Sequence, residues 1–207
     1  MPFASYTSIG DVAHAYHLEC RQEEFVAPIA TSISDYFRSE LAFNLLEMPT
    51  RMGEYSVTET LIFPILREVW KPFRDRLMLW SHQAIAFDSD LCGTPDYIVA
   101  RRSPLGALFF DLPYLLVVEA KKDDFERGSG QCLAAMLAAQ KLNGVPDSTM
   151  YGAASNGRVW EFARLQGTVY TLDPRLYLAQ ELDGLAAALQ FVLSQCQDEA
   201  ARYPHAA

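Results

Sequence analysis

The segment of residues 91–140 constrains the fold of this chain more than any other. It contains two apolar runs with ionisable residues at their ends: Asp96 opens the first, and Glu119 and Lys121 close the second. A charged side chain beside the end of a buried strand is costly unless it pairs with another group or binds a ligand. Two carboxylates and a lysine that converge there suit a divalent metal, with the lysine directed at what the metal holds. The segment therefore predicts a site for a divalent cation.

The pattern around this segment predicts alternating strands and helices. We expect a strand over residues 77–87, one that begins near Asp96, and one over residues 114–120 that is apolar enough to be covered on both faces. A helix capped by Ser129 should run over residues 129–143, followed by another strand. This strand–helix–strand unit predicts a right-handed parallel crossover, and hence a mixed sheet.

The two ends of the chain are predicted to be helical. Residues 8–48 have the pattern of helices that form a cap or a dimerisation arm, without chemistry of their own. A further helix should begin at Ser56, which forms a capping-box pattern with Glu59, and Pro64 should kink it or shorten its first turn. Regularly spaced leucines after residue 176 predict a long C-terminal helix.

The composition fits one globular unit. The chain has 207 residues, of which 50% are hydrophobic, enough for a sizeable core. We expect an N-terminal helical extension, residues 1–55, packed on an α/β domain of residues 56–207. No apolar run has the length of a membrane span, and the four cysteines form no CxxC pair, so a reducing cytoplasm is the expected location. The four histidines form no convincing zinc set.

The net charge of −9 restricts the partners of such a site. Proteins that bind nucleic acid usually carry a basic balance, because contacts to phosphate supply most of their affinity. Three explanations remain open if the ligand is a nucleic acid: a local basic patch, a partner protein that supplies the contacts to phosphate, or a substrate that is short or single-stranded.

The motif formed by Pro95-Asp96 and, on the next strand, Glu119-Ala120-Lys121 resembles the PD-(D/E)xK signature of the restriction-endonuclease-like superfamily. Its uncharacterised bacterial members are the most similar. The resemblance covers residues 56–172 and implies a three-layer α-β-β-β-α-β core with a mixed central sheet. It also implies a metal-dependent nuclease that hydrolyses phosphodiester bonds, with DNA as the expected substrate and a homodimer as a possible assembly.

The resemblance also assigns the metal ligands. Asp96 and Glu119 would bind Mg²⁺ or Mn²⁺, with the Ala120 carbonyl as a further ligand. Glu59, on the preceding helix, resembles an accessory position that binds a second metal or orients a water molecule on the metal.

Further residues would act on the substrate. Lys121 would orient the attacking water, help to deprotonate it or stabilise the charge on the phosphorane. Gln131, on the following helix, would hold Lys121 or touch the phosphate backbone. Lys122, Arg101 and Arg102 are weaker candidates for contacts with nucleic acid.

Simpler interpretations exist for the same residues. Asp96 fits a turn before a strand, Glu119 and Lys121 fit a solvated ion pair, and Glu59 fits a bond back to the Ser56 amide. If all of these simpler interpretations apply, the protein is a catalytically silent nuclease fold that acts as an oligomeric interaction module. The acidic balance, the N-terminal helices and the apolar loop of residues 107–110 favour that alternative.

Overall fold

A computed structural model describes residues 3–49, 53–121 and 124–203. The helices are α1 (Ile9–Tyr16), α2 (Asp35–Glu47), α3 (Glu54–Val57), α4 (Phe63–Trp70), α5 (Phe125–Asn143) and α6 (Leu182–Arg202). The strands are β1 (Glu19–Gln22), β2 (Leu77–Ser81), β3 (Ile85–Ala86), β4 (Cys92–Gly93), β5 (Tyr97–Arg101), β6 (Tyr114–Ala120), β7 (Thr149–Ser155), β8 (Val159–Gln166), β9 (Val169–Leu172) and β10 (Tyr177–Leu178). A π-helical segment, Thr58–Ile62, joins α3 to α4, and 3₁₀ turns cover Phe3–Ser5 and Lys71–Phe73.

The centre of the molecule is an eight-stranded mixed sheet. Its order is β1-β9-β8-β7-β6-β5-β2, with β10 beside β8, while β3 and β4 form a separate small ribbon. The β6–β7 and β1–β9 pairs are parallel and the other pairs are antiparallel. From α3 to β7 the core follows the predicted α-β-β-β-α-β order, so the predicted mixed α/β fold class is confirmed.

Two hydrophobic cores lie on opposite faces of the sheet and make the fold three-layered. Helices α2, α4 and α6 pack on one face, around fully buried side chains such as Leu61, Ile65 and Leu189. Helices α1 and α5 pack on the other, around Met136 and Val117. Because β6 is covered on both sides, six of its seven residues are buried, as its apolar sequence predicts.

Helix α5 lies close to the sheet because small side chains face it. A Cβ at Gly152 of β7 would come within 2.3 Å of the Met136 sulfur, so only glycine leaves room for the helix there. The helix ends at Gly144, whose φ of 70° gives the predicted left-handed C-cap. The next strand, β7, runs parallel to β6, which confirms the predicted crossover, and Gly157, at φ 82°, turns β7 into β8 at the predicted hairpin.

Three predicted helix starts are wrong, and one of them is that of α6, which begins at Leu182 rather than at Leu176 because Tyr177–Leu178 forms β10. Helix α5 begins four residues earlier than expected, at Phe125, because Asp124 rather than Ser129 accepts the backbone N–H bond that caps it. Ser129 is buried within the helix. Helix α3 begins at Glu54, so Ser56 is an internal residue and not a cap.

The effect of Pro64 on its helix is a widened turn. The N–H of Phe63 bonds to the carbonyl of Thr58, five residues back, so the helix is π-like immediately before the proline. Because proline lacks an N–H and its ring crowds the preceding turn, a wide turn at this point accommodates it.

The N-terminal region is not wholly helical, in contrast to the prediction. Glu19–Gln22 forms β1, which pairs in parallel with β9 at the edge of the central sheet. Likewise, the expected strand over residues 77–87 is divided into β2 and the short β3. Edge pairing between segments about 150 residues apart leaves no local sequence pattern, and all four β1 side chains are exposed. In the part of the chain that the structure describes, no helix is both long and apolar enough to cross a bilayer.

Candidate active site

Asp96 lies immediately before β5, where hydrogen bonds fix both its backbone and its side chain. The N–H of Ala120, on β6, donates to Asp96 Oδ2 at 2.7 Å. The N–H of His82, after β2, donates to the Asp96 carbonyl at 2.9 Å. The aspartate is therefore held by the two strands that flank β5 in the sheet.

Glu119 faces Asp96 across the β5–β6 pair. Tyr97 pairs with Val118, so the next position outward places Asp96 opposite Glu119. Glu119 is only 5% exposed, and its carboxyl lies beside that of Asp96. Burial and the neighbouring Asp96 charge raise the pKa of Glu119 well above its ordinary value, and burial also raises the pKa of Asp96. Two carboxyls therefore meet at a largely buried point, where a cation would balance their negative charges.

Lys121 follows two residues after Glu119 and lies beside the same cavity. Its Nζ is 3.0 Å from Glu54 Oε1, on the first residue of α3. Burial acts to lower the pKa of Lys121, but the Glu54 hydrogen bond and the nearby carboxylates outweigh it and raise that pKa. The lysine stem passes Gly128 of α5, where a Cβ would lie 2.8 Å from Lys121 Cγ, so a side chain there would displace the lysine.

A cavity of about 710 Å³ surrounds these groups. Among the described residues, its charged lining consists of the acids Glu54, Asp96, Glu119 and Asp124 and the cations Lys121 and Arg127. Gln131, 7% exposed on α5, also lines it, as predicted for a residue near the substrate. The structure thus brings together Asp96, Glu119, Ala120, Lys121 and Gln131 of the predicted set.

Glu59 is not among the residues that line the cavity. It is exposed within the π-helical segment, and the carboxylate that faces the site from this helix, beside Lys121, is that of Glu54. The helix starts at Glu54, two residues before the expected cap, and Glu59 falls in the π-helical turn rather than in the first turn.

The arginines predicted to contact nucleic acid lie elsewhere. Arg101 and Arg102 are at the far end of β5 from Asp96, roughly 15 Å along the strand. They line a different cavity, where Arg101 is buried and donates to the Tyr203 carbonyl at 3.3 Å. The two ends of a strand lie at opposite ends of the sheet, which separates these arginines from Asp96. Lys122 falls outside the described residues.

Sequence reasoning missed several residues of the site, of which His82 is the most informative. Its Nε2 lies 3.6 Å from Asp96 Oδ1, its Nδ1 lies 2.7 Å from Ser81 Oγ, and its backbone adopts φ 51°. Non-glycine residues in this left-handed region are uncommon. The available signal was that His82 directly follows a strand, but only the β2–β5 register places that strand end beside Asp96.

The donor set fits a small, hard cation. Among the described residues, no group of three or more His, Cys, Asp and Glu side chains is arranged to hold a metal ion. The two carboxylates and the Ala120 carbonyl supply only a few protein oxygens to a metal ion. Mg²⁺ and Mn²⁺ accept such a set because they retain waters and take substrate phosphates as further ligands. The observation in favour is that two carboxyls, Asp96 and Glu119, meet at a largely buried point, since a cation there would relieve their repulsion.

Several solved structures are similar to this chain. The type IIG restriction endonuclease BpuSI superimposes with a TM-score of 0.41 and 12% sequence identity, over 67% of this chain. The chain spans 15% of the length of that enzyme. No protein-family model matches the chain, and no curated protein matches its sequence. Functional conclusions must therefore come from the geometry of the site.

Proposed function

We propose that the protein is a metal-dependent nuclease that hydrolyses phosphodiester bonds in nucleic acid, with DNA as its substrate. The observation that carries this proposal is the buried Asp96–Glu119 pair with Lys121 beside it, at the ends of two adjacent strands. A structural ion pair would require equal and opposite charges, whereas here two carboxyls meet at one point. A divalent cation removes that repulsion, and a phosphate completes its shell.

Each residue of the site has a defined part in this proposal. Asp96 and Glu119, with the Ala120 carbonyl, would hold Mg²⁺ or Mn²⁺, which supplies Lewis-acid stabilisation of charge on the phosphoryl oxygens. Lys121, oriented by Glu54, donates to a phosphate oxygen or to the attacking water and so stabilises charge as it develops. Gln131 contacts the phosphate backbone from α5.

Cleavage of labelled DNA by the purified protein in Mg²⁺ or Mn²⁺ tests the proposal. We expect Asp96→Asn, Glu119→Gln and Lys121→Met each to reduce the rate by about 100-fold or more, because each removes stabilisation of the transition state. Asp75→Asn, which removes an exposed carboxylate outside the cavity, is the matched control and should retain the wild-type rate. Absence of cleavage of DNA and RNA in both metals, or equal residual rates in all variants, would contradict the proposal.

One observation favours the interaction module as a second candidate. The connection between β5 and β6 exposes four large apolar side chains: Leu105, Leu108, Phe109 and Leu112. Leu108 is 93% exposed, and apolar groups gathered on one loop suit contact with a partner or a second copy. Light scattering together with a Mn²⁺ titration separates the two candidates. A stable oligomer without Mn²⁺ affinity would support the module, and Mn²⁺ binding lost in Glu119→Gln would support the nuclease.

The proposed location is the cytoplasm. All four cysteines, Cys20, Cys92, Cys132 and Cys196, are free thiols in the structure. Free thiols persist in a reducing compartment. Fractionation of the host cells with an antibody against the chain would test the location.

A further inference from the structure

We propose that the site accepts a single strand of DNA rather than an intact duplex, an inference that rests on the proposed function. The carboxylates lie deep in the cavity. The Asp96 side chain is 14% exposed and Glu119 is 5% exposed, so a phosphodiester must enter the cavity to reach them. A duplex is stiff and resists the local bending that would push one phosphate into a cleft. A single strand bends freely and reaches the same depth at lower cost.

One wall of the cavity is fixed in place. Phe3 and Ala4 line the cavity, and Phe3 is 4% exposed. A Cβ at Gly93, which has φ 158°, would come within 2.3 Å of the Phe3 ring, so the ring lies directly on the backbone of β4. Arg127 Nη2 donates to the Ala4 carbonyl at 3.1 Å. The wall is therefore packed and hydrogen-bonded, and a wide ligand cannot displace it cheaply.

The same N-terminal segment is also fixed further along the chain. A Cβ at Gly130 would lie 2.7 Å from the Ser8 backbone, so the segment lies directly on α5. Ser8 caps α1 through a reciprocal capping box with Asp11. This second anchor keeps residues 3–8 against the helix that also carries Gln131. One wall of the cleft is therefore held in place at two points.

An exposed aromatic ring lies at the edge of the cavity. Tyr55, on α3, lines the cavity and yet is 76% exposed. A tyrosine ring in this position can stack on an unpaired base, which every base allows because each has a π-face. A base in a duplex is already stacked on its neighbours and is not available to the ring. Tyr55 thus fits a strand whose bases are free.

The charges of the cavity support the same substrate. Lys121 is paired with Glu54, and among the described residues, which leave out positions 122 and 123, four acids and two cations line the cavity. A protein that grips a duplex commonly neutralises six to ten phosphates, roughly, with lysine and arginine. Stacking needs fewer such contacts, so a single strand is the form of DNA that an acidic protein of this kind holds best.

Cleavage and binding assays on the full chain test the inference. A labelled single strand of about 30 nucleotides and the matching duplex are each incubated with Mg²⁺. We expect the single strand to be cleaved at least about 10-fold faster than the duplex. Binding of the single strand to Glu119→Gln protein by fluorescence anisotropy should weaken about 5- to 100-fold when Tyr55→Ala is added and should survive Tyr55→Trp.

Tyr36 provides a matched control for Tyr55. It has the same 76% exposure but lies on α2 and does not line the cavity, so Tyr36→Ala should bind as the parent does. Melting temperatures check that the variants fold. Metal-dependent cleavage of the duplex at the rate of the single strand, or identical effects of Tyr55→Ala and Tyr36→Ala, would overturn the inference and leave the nuclease intact. Loss of both cleavage and Mn²⁺ binding would instead remove the proposed function.

Discussion

Lys121 Nζ lies 3.0 Å from Glu54 Oε1, and this contact joins the end of β6 to the start of α3 across 67 positions of sequence. The Lys121 side chain is 20% exposed and that of Glu54 is 43% exposed. Ion pairs this accessible contribute little to stability because water and salt screen them. The consequence of the contact is orientation: it holds the lysine beside the Asp96–Glu119 pair.

We expect Glu54→Gln to lower the pKa of Lys121. The substitution removes the hydrogen-bonded negative charge that raises this pKa, while the burial that lowers it remains. The change in unfolding free energy should stay below about 1 kcal/mol, as for other exposed pairs. NMR titration of labelled lysine side chains measures the shift, with Lys71, which pairs with Glu68, as the internal control. An unchanged Lys121 titration would show that Glu54 does not determine its charge.

Glu119→Gln should stabilise the metal-free protein at alkaline pH. The pKa of Glu119 is raised on folding, so above its ordinary value of 4.5 the unfolded state loses a proton that the folded state keeps. Wild-type stability therefore falls, by up to about 1.4 kcal/mol per pH unit, as pH rises towards the folded pKa. Glutamine does not titrate, so this loss is absent from the variant.

Calorimetry in EDTA at pH 5 and pH 8 measures this difference. The melting temperatures of wild type and Glu119→Gln should be similar at pH 5, and the variant should be higher at pH 8. Mn²⁺ should raise the melting temperature of the wild type alone, because only its carboxylate can bind the ion. A variant that is less stable than wild type at both pH values would show that Glu119 has a structural role instead.

Gly130→Ala and Gly184→Ala should have opposite effects although both are glycines in helices. A Cβ at Gly130 would meet the Ser8 backbone at 2.7 Å, so alanine should cost about 1–3 kcal/mol by displacing the N-terminal segment. A Cβ at Gly184 of α6 meets nothing within 4 Å, so alanine should stabilise the helix by about 0.5–1 kcal/mol. Urea denaturation measures both. Equal effects would mean that residues 3–8 do not pack on α5 in solution.

Asp173→Ala should destabilise the fold because it leaves buried donors without an acceptor. Asp173 is 1% exposed, and its Oδ2 accepts the backbone N–H groups of Phe25 at 3.1 Å and Val26 at 2.9 Å. It also pairs with Arg175 at 2.8 Å. Loss of these bonds should cost about 2–4 kcal/mol, measured by urea denaturation. Asp183→Ala, at an exposed carboxylate that pairs with Arg38, is the control and should have little effect.

The same aspartate should contribute to acid denaturation. Burial acts to raise the pKa of Asp173, but hydrogen bonds from Arg175 and Val26 outweigh it and lower that pKa. Its contribution is therefore present above its ordinary value of 3.8 and is lost as pH falls through the folded pKa. The wild-type and Asp173→Asn stabilities should converge on acidification. A constant difference between pH 3 and pH 7 would contradict this assignment.

Local patterns predicted the centre of the fold. The apolar run of β6, the Gly144 cap and the Asn156-Gly157 hairpin are written in adjacent residues, and the structure confirms all three. Hydrophobic periodicity and turn chemistry act over a few residues, so both can be recognised in a single sequence. The order of the core elements, and with it the opposition of Asp96 and Glu119, followed from them.

Only the tertiary structure decided which residues surround that pair. Glu54 rather than Glu59 reaches Lys121 because the helix starts at Glu54, and His82 joins the site because β2 lies beside β5. Likewise, β1 is a strand only because β9 offers it an edge. Such positions depend on where a helix starts and on strand register between distant segments. Helix packing and strand pairing in the folded molecule fix them, and no local pattern encodes either.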